Sequence, residues 1–502
     1  MDVLRTKSVE QSILDTDEPD HRLKKNLGAL DLVVFGVGVT IGGGLFVLTG
    51  SAARQYAGPA ISISFVIAAI ACGLAALCYA ELASTVPVAG SAYTFSYATA
   101  GELVAWIIGW DLMLEFIVGA AAVAGGWSGY LANVLAGTPL EIPASLASSS
   151  DGVMNLPAGL LVLVLTAVLV LGIKLSSIVN QVAVAVKIGV SLLFIVAGAF
   201  LVDADNLSPF IPASEPSQGS SGLKTPLIEI LLGLEPLTYG WGGIVTGAAV
   251  VFFAFIGFDV VATTAEETKN PSRDVPIGVF GSLLVCTLLY CTVSVVLTGM
   301  QSFRSIEADD PAPLSTAFTN AGHDTIANII AVGAAVGITV VVMILLLGQS
   351  RVAFAMARDG LLPPVLANVH PTFRTPYLIT VVVGVLVAVL ATFTSIDVLA
   401  ELVNVGTLFA FILVSLGVIL LRRSRPDLPR AFRVPLVPVI PAAAALVCLY
   451  LMLNLALETW LRFFVWMAIG LVIYFTYGYR NSRVGQGQRP TAPADAPPVP
   501  ER

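Results

Sequence analysis

Lys187 stands near the middle of NQVAVAVKIGVSLLFIVAG, an apolar run that carries no other charge. In a membrane, an ammonium too far from either interface to snorkel costs at least about 2.5 kcal/mol, so it marks function by default. Desolvation disfavours its charged form and a nearby carboxylate or carbonyl cluster favours it, so the group can gain and lose a proton as its surroundings rearrange. Asp111 and Glu115, in GWDLMLEF, lie four apart and share one helix face. Glu115 is the deeper and the better proton partner for Lys187; Asp111 is expected to face water near one end. A third feature is the glycine-dense GVGVTIGGGLF at residues 36–46, echoed by VFFAFIGFD at Val251–Asp259, where a glycine precedes a charge. Asp259 is placed to cap a half-helix or to gate a path.

The elements that must hold these residues follow from composition. The chain is 57% hydrophobic and 12% charged, with a mean hydropathy of +0.90, which indicates a polytopic membrane protein. A helical crossing needs roughly 20 apolar residues, and twelve segments qualify, at about 30–51, 59–83, 103–135, 157–173, 179–201, 244–264, 276–299, 325–350, 376–393, 398–421, 434–456 and 460–479. The segments lack the alternation of a barrel. With the amino terminus inside, 20 of the 25 Lys and Arg fall on the inner side and four on the outer, Lys187 being the remaining one. That bias puts both termini in the cytoplasm of a cell membrane.

The expected fold class is all-α with two sets of five helices and two extra ones. Residues 1–29 form a cytoplasmic segment, 30–201 the first five-helix repeat, 202–243 an outer loop, 244–421 the second repeat, 422–479 the last two helices, and 480–502 a disordered tail rich in Pro and Ala. Five is odd, so the second set enters from the opposite side, the condition for an inverted repeat. The opening helix of each set is interrupted, at TIGGGLF and at VFFAFIGFD. Paired interruptions point to a transporter binding site, because a broken helix frees backbone groups that lipid cannot satisfy but a ligand can. Gly42, Gly43 and Gly44 let the backbone unwind, and the half-helix beyond them offers N–H groups to a carboxylate. Carbonyls near Thr40, Ile41 and Phe252 to Phe255 are placed to take an ammonium, so the ligand expected is an α-amino acid. Packing alone is the competing reading of the glycines.

The stretches AELASTVPVAGSAYTFSYATAGELVAWIIGWDLMLE, FFAFIGFDVVATTAEETKNPSRDVPIGV and RVAFAMARDGLLP resemble the cationic amino acid transporter branch of the amino acid–polyamine–organocation superfamily. The likeness covers about residues 22–435, in the shorter bacterial form. It implies a LeuT-type fold with alternating access and substrate between the first and sixth helices. It also implies that Gly42, Gly43 and Gly44 form the carboxylate loop, that Phe253 covers the substrate from outside, and that Ala254 and Ile256 lie on the pocket wall. Glu266, Glu267 and Asn270 belong to the inner end of the second motif. In proton-coupled relatives a lysine on the fifth helix takes the place of sodium, the position of Lys187.

The function expected is a proton-driven amino acid symporter whose partners are an amino acid, protons and the lipid bilayer. An exchanger or facilitator without proton coupling is the alternative within transport, and a membrane sensor the alternative outside it. The chain lacks the residue sets of an enzyme site, a metal site, a cofactor site or a nucleic-acid interface. The side chains that choose the substrate are expected on the third and eighth helices. The cysteines Cys72, Cys78, Cys286, Cys291 and Cys448 are read as packing residues. A dinucleotide fingerprint at Gly36-x-Gly38 is discarded, because its flanks are apolar throughout.

Overall fold

A computed structural model describes residues 5, 27–85, 91–149, 152–172, 177–217, 222–258, 261, 268–373, 375–428, 430 and 432–486. Asp259, Glu266, Glu267 and residues 487–502 of the tail lie outside the described residues. The main helices are α1 (Ala29–Thr40), α2 (Ile61–Thr85), α3 (Glu102–Leu135), α4 (Leu156–Val170), α5 (Ser177–Ala199) and α6 (Gly240–Val251). They continue as α7 (Pro271–Met300), α8 (Asp324–Arg358), α9 (Tyr377–Phe393), α10 (Ile396–Ser424), α11 (Val439–Leu453) and α12 (Leu457–Ile473). Each of the twelve expected segments therefore holds one of these helices. Among the described residues, seven helices are long and apolar enough to cross a membrane, and five shorter apolar ones accompany them.

Helix ends follow local chemistry. The Asn155 side chain accepts the Ala158 N–H at 3.2 Å to cap α4, and α7 opens on Pro271, where no N–H is needed. Inside the molecule α1, α2, α6 and α7 pack together, as do α3, α4, α8 and α9, while α5 touches α1, α7 and α8 and α10 touches α6, α2 and α3. The contacts of the first five helices thus recur five helices later: α1–α7 answers α2–α6, α3–α4 answers α8–α9, and α5–α8 answers α10–α3.

Helix α12 is bound to α3 by a reciprocal pair, Trp110 donating to the Trp466 carbonyl at 2.9 Å and Trp466 to the Trp110 carbonyl at 3.1 Å, with the rings stacked at 4.5 Å. The Arg5 guanidinium forks onto buried Glu102 at 2.7 and 3.0 Å, and Ser482 also bonds that carboxylate. Arg5 and Ser482 therefore sit on one face of the molecule.

Candidate functional site

The glycine run breaks the first helix. α1 stops at Thr40, Ile41 turns to extended backbone, and helix resumes over Gly43–Phe46 and Leu48–Ala52. The sixth helix breaks in parallel: α6 tightens to a 3₁₀ turn at Phe252–Phe255, Ile256 is extended, and Gly257 takes φ +111°, a conformation that favours glycine. The two breaks touch. A Cβ on Gly44 would lie 2.7 Å from the Ala254 nitrogen and closer still to its Cα, and one on Gly257 would lie 2.7 Å from Val39 Cγ1.

Between them lies a cavity with about 350 Å³ of space between atoms, part of it open to solvent. Thr40, Gly42, Gly43, Gly44, Phe253 and Ile256 line it, six of the ten residues expected there. The other four turn elsewhere. Ile41 is fully buried, Phe252 packs edge-on against Phe411 at 5.7 Å, Phe255 packs on Tyr290 at 5.2 Å, and Ala254 is pressed against Gly44. The remaining wall is Val39 of α1, Gly119 and Val123 of α3, and Val341 and Leu345 of α8. The third and eighth helices do contribute, as expected, but their residues were not identifiable individually. Thr40 Oγ1 is buried and makes no hydrogen bond, which leaves a hydroxyl at the cavity wall.

A helix break orphans carbonyls, and buried carbonyls need donors. Among the described residues, Lys187, Tyr290 and Asn404 on other helices supply donors at the breaks. Lys187, 1% exposed, donates from Nζ to the Gly38 carbonyl at 2.6 Å. The Tyr290 hydroxyl of α7 lies 2.9 Å from the Thr40 carbonyl and 2.8 Å from that of Ala254, bridging both breaks with one proton. Asn404 of α10 donates to the Ala249 and Val250 carbonyls, each at 2.9 Å. The carbonyls of Thr40 and Ala254 are therefore already engaged by Tyr290 rather than standing open for an ammonium. Tyr290 and Asn404 are not distinguishable in the sequence, because α7 and α10 each carry several other polar side chains.

Tyr290→Phe keeps the ring contacts and removes the donor. The expected loss is about 1–2 kcal/mol, or roughly 5–30-fold weaker substrate binding, measured as the half-saturation of counterflow in liposomes.

Two charged residues stand differently from expectation. Lys187 bonds a backbone carbonyl rather than Glu115, and its stem crosses α8 at Gly337, whose Cβ would lie 2.5 Å from Lys187 Cγ. Asp111 does not face water: it is fully buried, and neither carboxylate oxygen has a hydrogen-bond partner among the described residues. The reason is coverage. α3 runs 34 residues, α12 is riveted over its neighbour Trp110, and α10 brings Gly406 so close that a Cβ there would lie 2.9 Å from Asp111 Oδ1. Glu115, one turn along, is buried as well. Of the second motif's inner end, Asn270 immediately precedes α7, and the neighbouring Lys269 N–H bonds the Leu27 carbonyl at 2.9 Å. Four of the five cysteines are buried and none forms a disulfide, in keeping with packing roles.

Apolar helices gathered around two facing helix breaks and a cavity between them are the arrangement of a multi-pass membrane transporter. A family model described as amino acid permease matches residues 27–477, and the chain belongs to that family of the amino acid–polyamine–organocation superfamily. It is 48% identical to the branched-chain amino acid permease BcaP of Bacillus subtilis, over 96% of this chain and 99% of that protein. It is 44% identical to a methylthioribose transporter of Bacillus subtilis, over 93% of this chain and 96% of that one. The vacuolar cationic amino acid transporter 2 of Arabidopsis thaliana is 42% identical over 81% of this chain and 61% of its own length.

Proposed function

We propose that this permease is a proton-coupled symporter that carries neutral, apolar amino acids across the cell membrane by alternating access. The observation that carries the proposal is Lys187: a buried cation donates to Gly38, two residues before the α1 break that lines the cavity. A proton on that lysine and an amino acid in the cavity act on the same stretch of backbone. The substrate carboxylate meets the N–H groups of Gly43 and Gly44, which have no carbonyl one turn earlier within their helix. The ammonium meets the Thr40 hydroxyl on the cavity wall. Phe253 covers it. Glu115 is the acid that exchanges protons with Lys187, and Asp259 gates the inner side.

A LeuT-type arrangement of two inverted five-helix repeats and twelve spans is supported by the recurrence of helix contacts five positions on. Cytoplasmic termini are supported by the charge bias and by Arg5 and Ser482 meeting at Glu102. The apolar substrate class is supported by a wall that holds no charged side chain and by the relative named for branched-chain amino acids.

The test is uptake of labelled leucine, isoleucine, valine, alanine and arginine into liposomes, with and without an inward gradient of one pH unit. Such a gradient is worth about 1.4 kcal/mol, so one-to-one coupling allows about tenfold accumulation. Tenfold accumulation of the branched-chain set, with arginine excluded, is the expected result. Equilibration that ignores the gradient would leave an exchanger or facilitator.

A further inference from the structure

The donors that meet the broken helices are related to one another. Lys187 reaches from the fifth helix to Gly38, near the end of α1 before its break. Asn404 reaches from the tenth helix to Ala249 and Val250, near the end of α6 before its break. Five helices separate the two donors, and five separate the two recipients. The contacts α5–α1 and α10–α6 answer each other in the same way.

We infer that Asn404 is the second repeat's counterpart of Lys187, a positioning residue that anchors the end of α6 and thereby sets Phe253 over the cavity. The chemistry fits. Where α6 tightens to a 3₁₀ turn, its last carbonyls lose regular partners, and one amide nitrogen offers two protons to two of them. Its orientation follows, because the amide oxygen could not face two carbonyl oxygens. Phe253 follows Val250 by three residues, so the anchor lies within one turn of the ring. Two turns along the same helix, Phe411 flanks the break from its other side, meeting Phe252 at 5.7 Å and Phe258 at 5.3 Å. α10 thus grips α6 before and after its break, and the difference between the repeats is one of charge. The first break is held by a cation that protons can modulate, the second by a neutral amide that stays constant.

This inference rests on the cavity being the substrate site, and two measurements separate the claims. In the first, leucine counterflow without a pH gradient is followed for wild type, Asn404→Ser and Asn404→Ala. A loosened Phe253 raises KM at least tenfold in the alanine variant, with serine, one donor, in between, while Vmax stays within threefold. A merely structural role would lower Vmax at constant KM, and a KM within twofold of wild type overturns the proposal. In the second, a cysteine at position 253 is labelled by a membrane-impermeant maleimide, against the background of the native cysteines. Adding Asn404→Ala is expected to change the labelling rate at least threefold, and an unchanged rate overturns the anchor. That readout needs no substrate, so wild type that fails to exchange leucine would sink the substrate assignment alone.

Discussion

Gly44→Ala is expected to lower uptake at least a hundredfold while the protein still inserts. At this position the added methyl meets backbone: it would stand 2.7 Å from the Ala254 nitrogen and nearer to its Cα, where ordinary contacts begin at 3.4 Å. Backbone cannot rotate away as a side chain can, so the two half-helices must part by roughly an ångström. Displacements of that size in a positioned site cost on the order of a hundredfold. The neighbouring glycines calibrate the claim. A Cβ on Gly42 would meet only Val341 methyls, at 3.2 and 3.3 Å, and Val341 can shift, so Gly42→Ala should cost less than tenfold. Gly43 stands between, with Val123 Cγ2 at 3.2 Å and the Phe253 ring at 3.4 Å. The order Gly44, Gly43, Gly42 in falling severity, read as initial uptake per inserted protein, is the checkable content. A Gly44→Ala variant within fivefold of wild type would mean that the two breaks do not need their close approach.

The ranking also shows which of two roles each glycine has. Packing was the competing reading of the run, and at Gly44 it holds, because the residue lets α6 approach. Gly42 supplies the turn and the cavity wall. Identical letters in a row gave no means of telling these apart, since the distinction belongs to a partner helix more than 200 residues away.

What could be read beforehand was whatever violates the rules of an apolar span. Glycines in succession, a glycine beside a charge and a lone lysine stand out against lipid-compatible sequence, and they located the two breaks and Lys187. The cavity wall could not be read. Val123, Val341 and Leu345 line it, yet a valine facing lipid and one facing a cavity look alike, because bilayer and protein interior are equally apolar. In a soluble helix the polar face would have shown which side turns inward. For the same reason the burial of Asp111 went unseen: its position along α3 was legible, but the cover supplied by α12 and α10 was not.

Lys187→Met is expected to abolish gradient-driven accumulation while leaving counterflow measurable. Methionine is the informative replacement because it fills the groove over Gly337 that the lysine stem occupies, so a loss cannot be laid to an empty cavity. Lys187→Ala removes the stem as well and should lose stability in addition. On the proposed mechanism, the donated hydrogen bond to Gly38 ties proton occupancy to the conformation of α1, whose break lines the cavity. A ligand drives such a change only through different affinities in the two access states. For protons to do tenfold work on substrate, the difference must reach about 1.4 kcal/mol, within what one charge-assisted hydrogen bond contributes. With methionine no proton is carried, the gradient has nothing to act on, and internal substrate rises only to the external level. Exchange still runs, because both broken helices and Tyr290 remain. Accumulation that persists with its pH dependence intact would remove Lys187 from the proton path and leave it a fixed brace between α5, α1 and α8. The buried acids Asp111 and Glu115 on α3 would then be the next groups to neutralise.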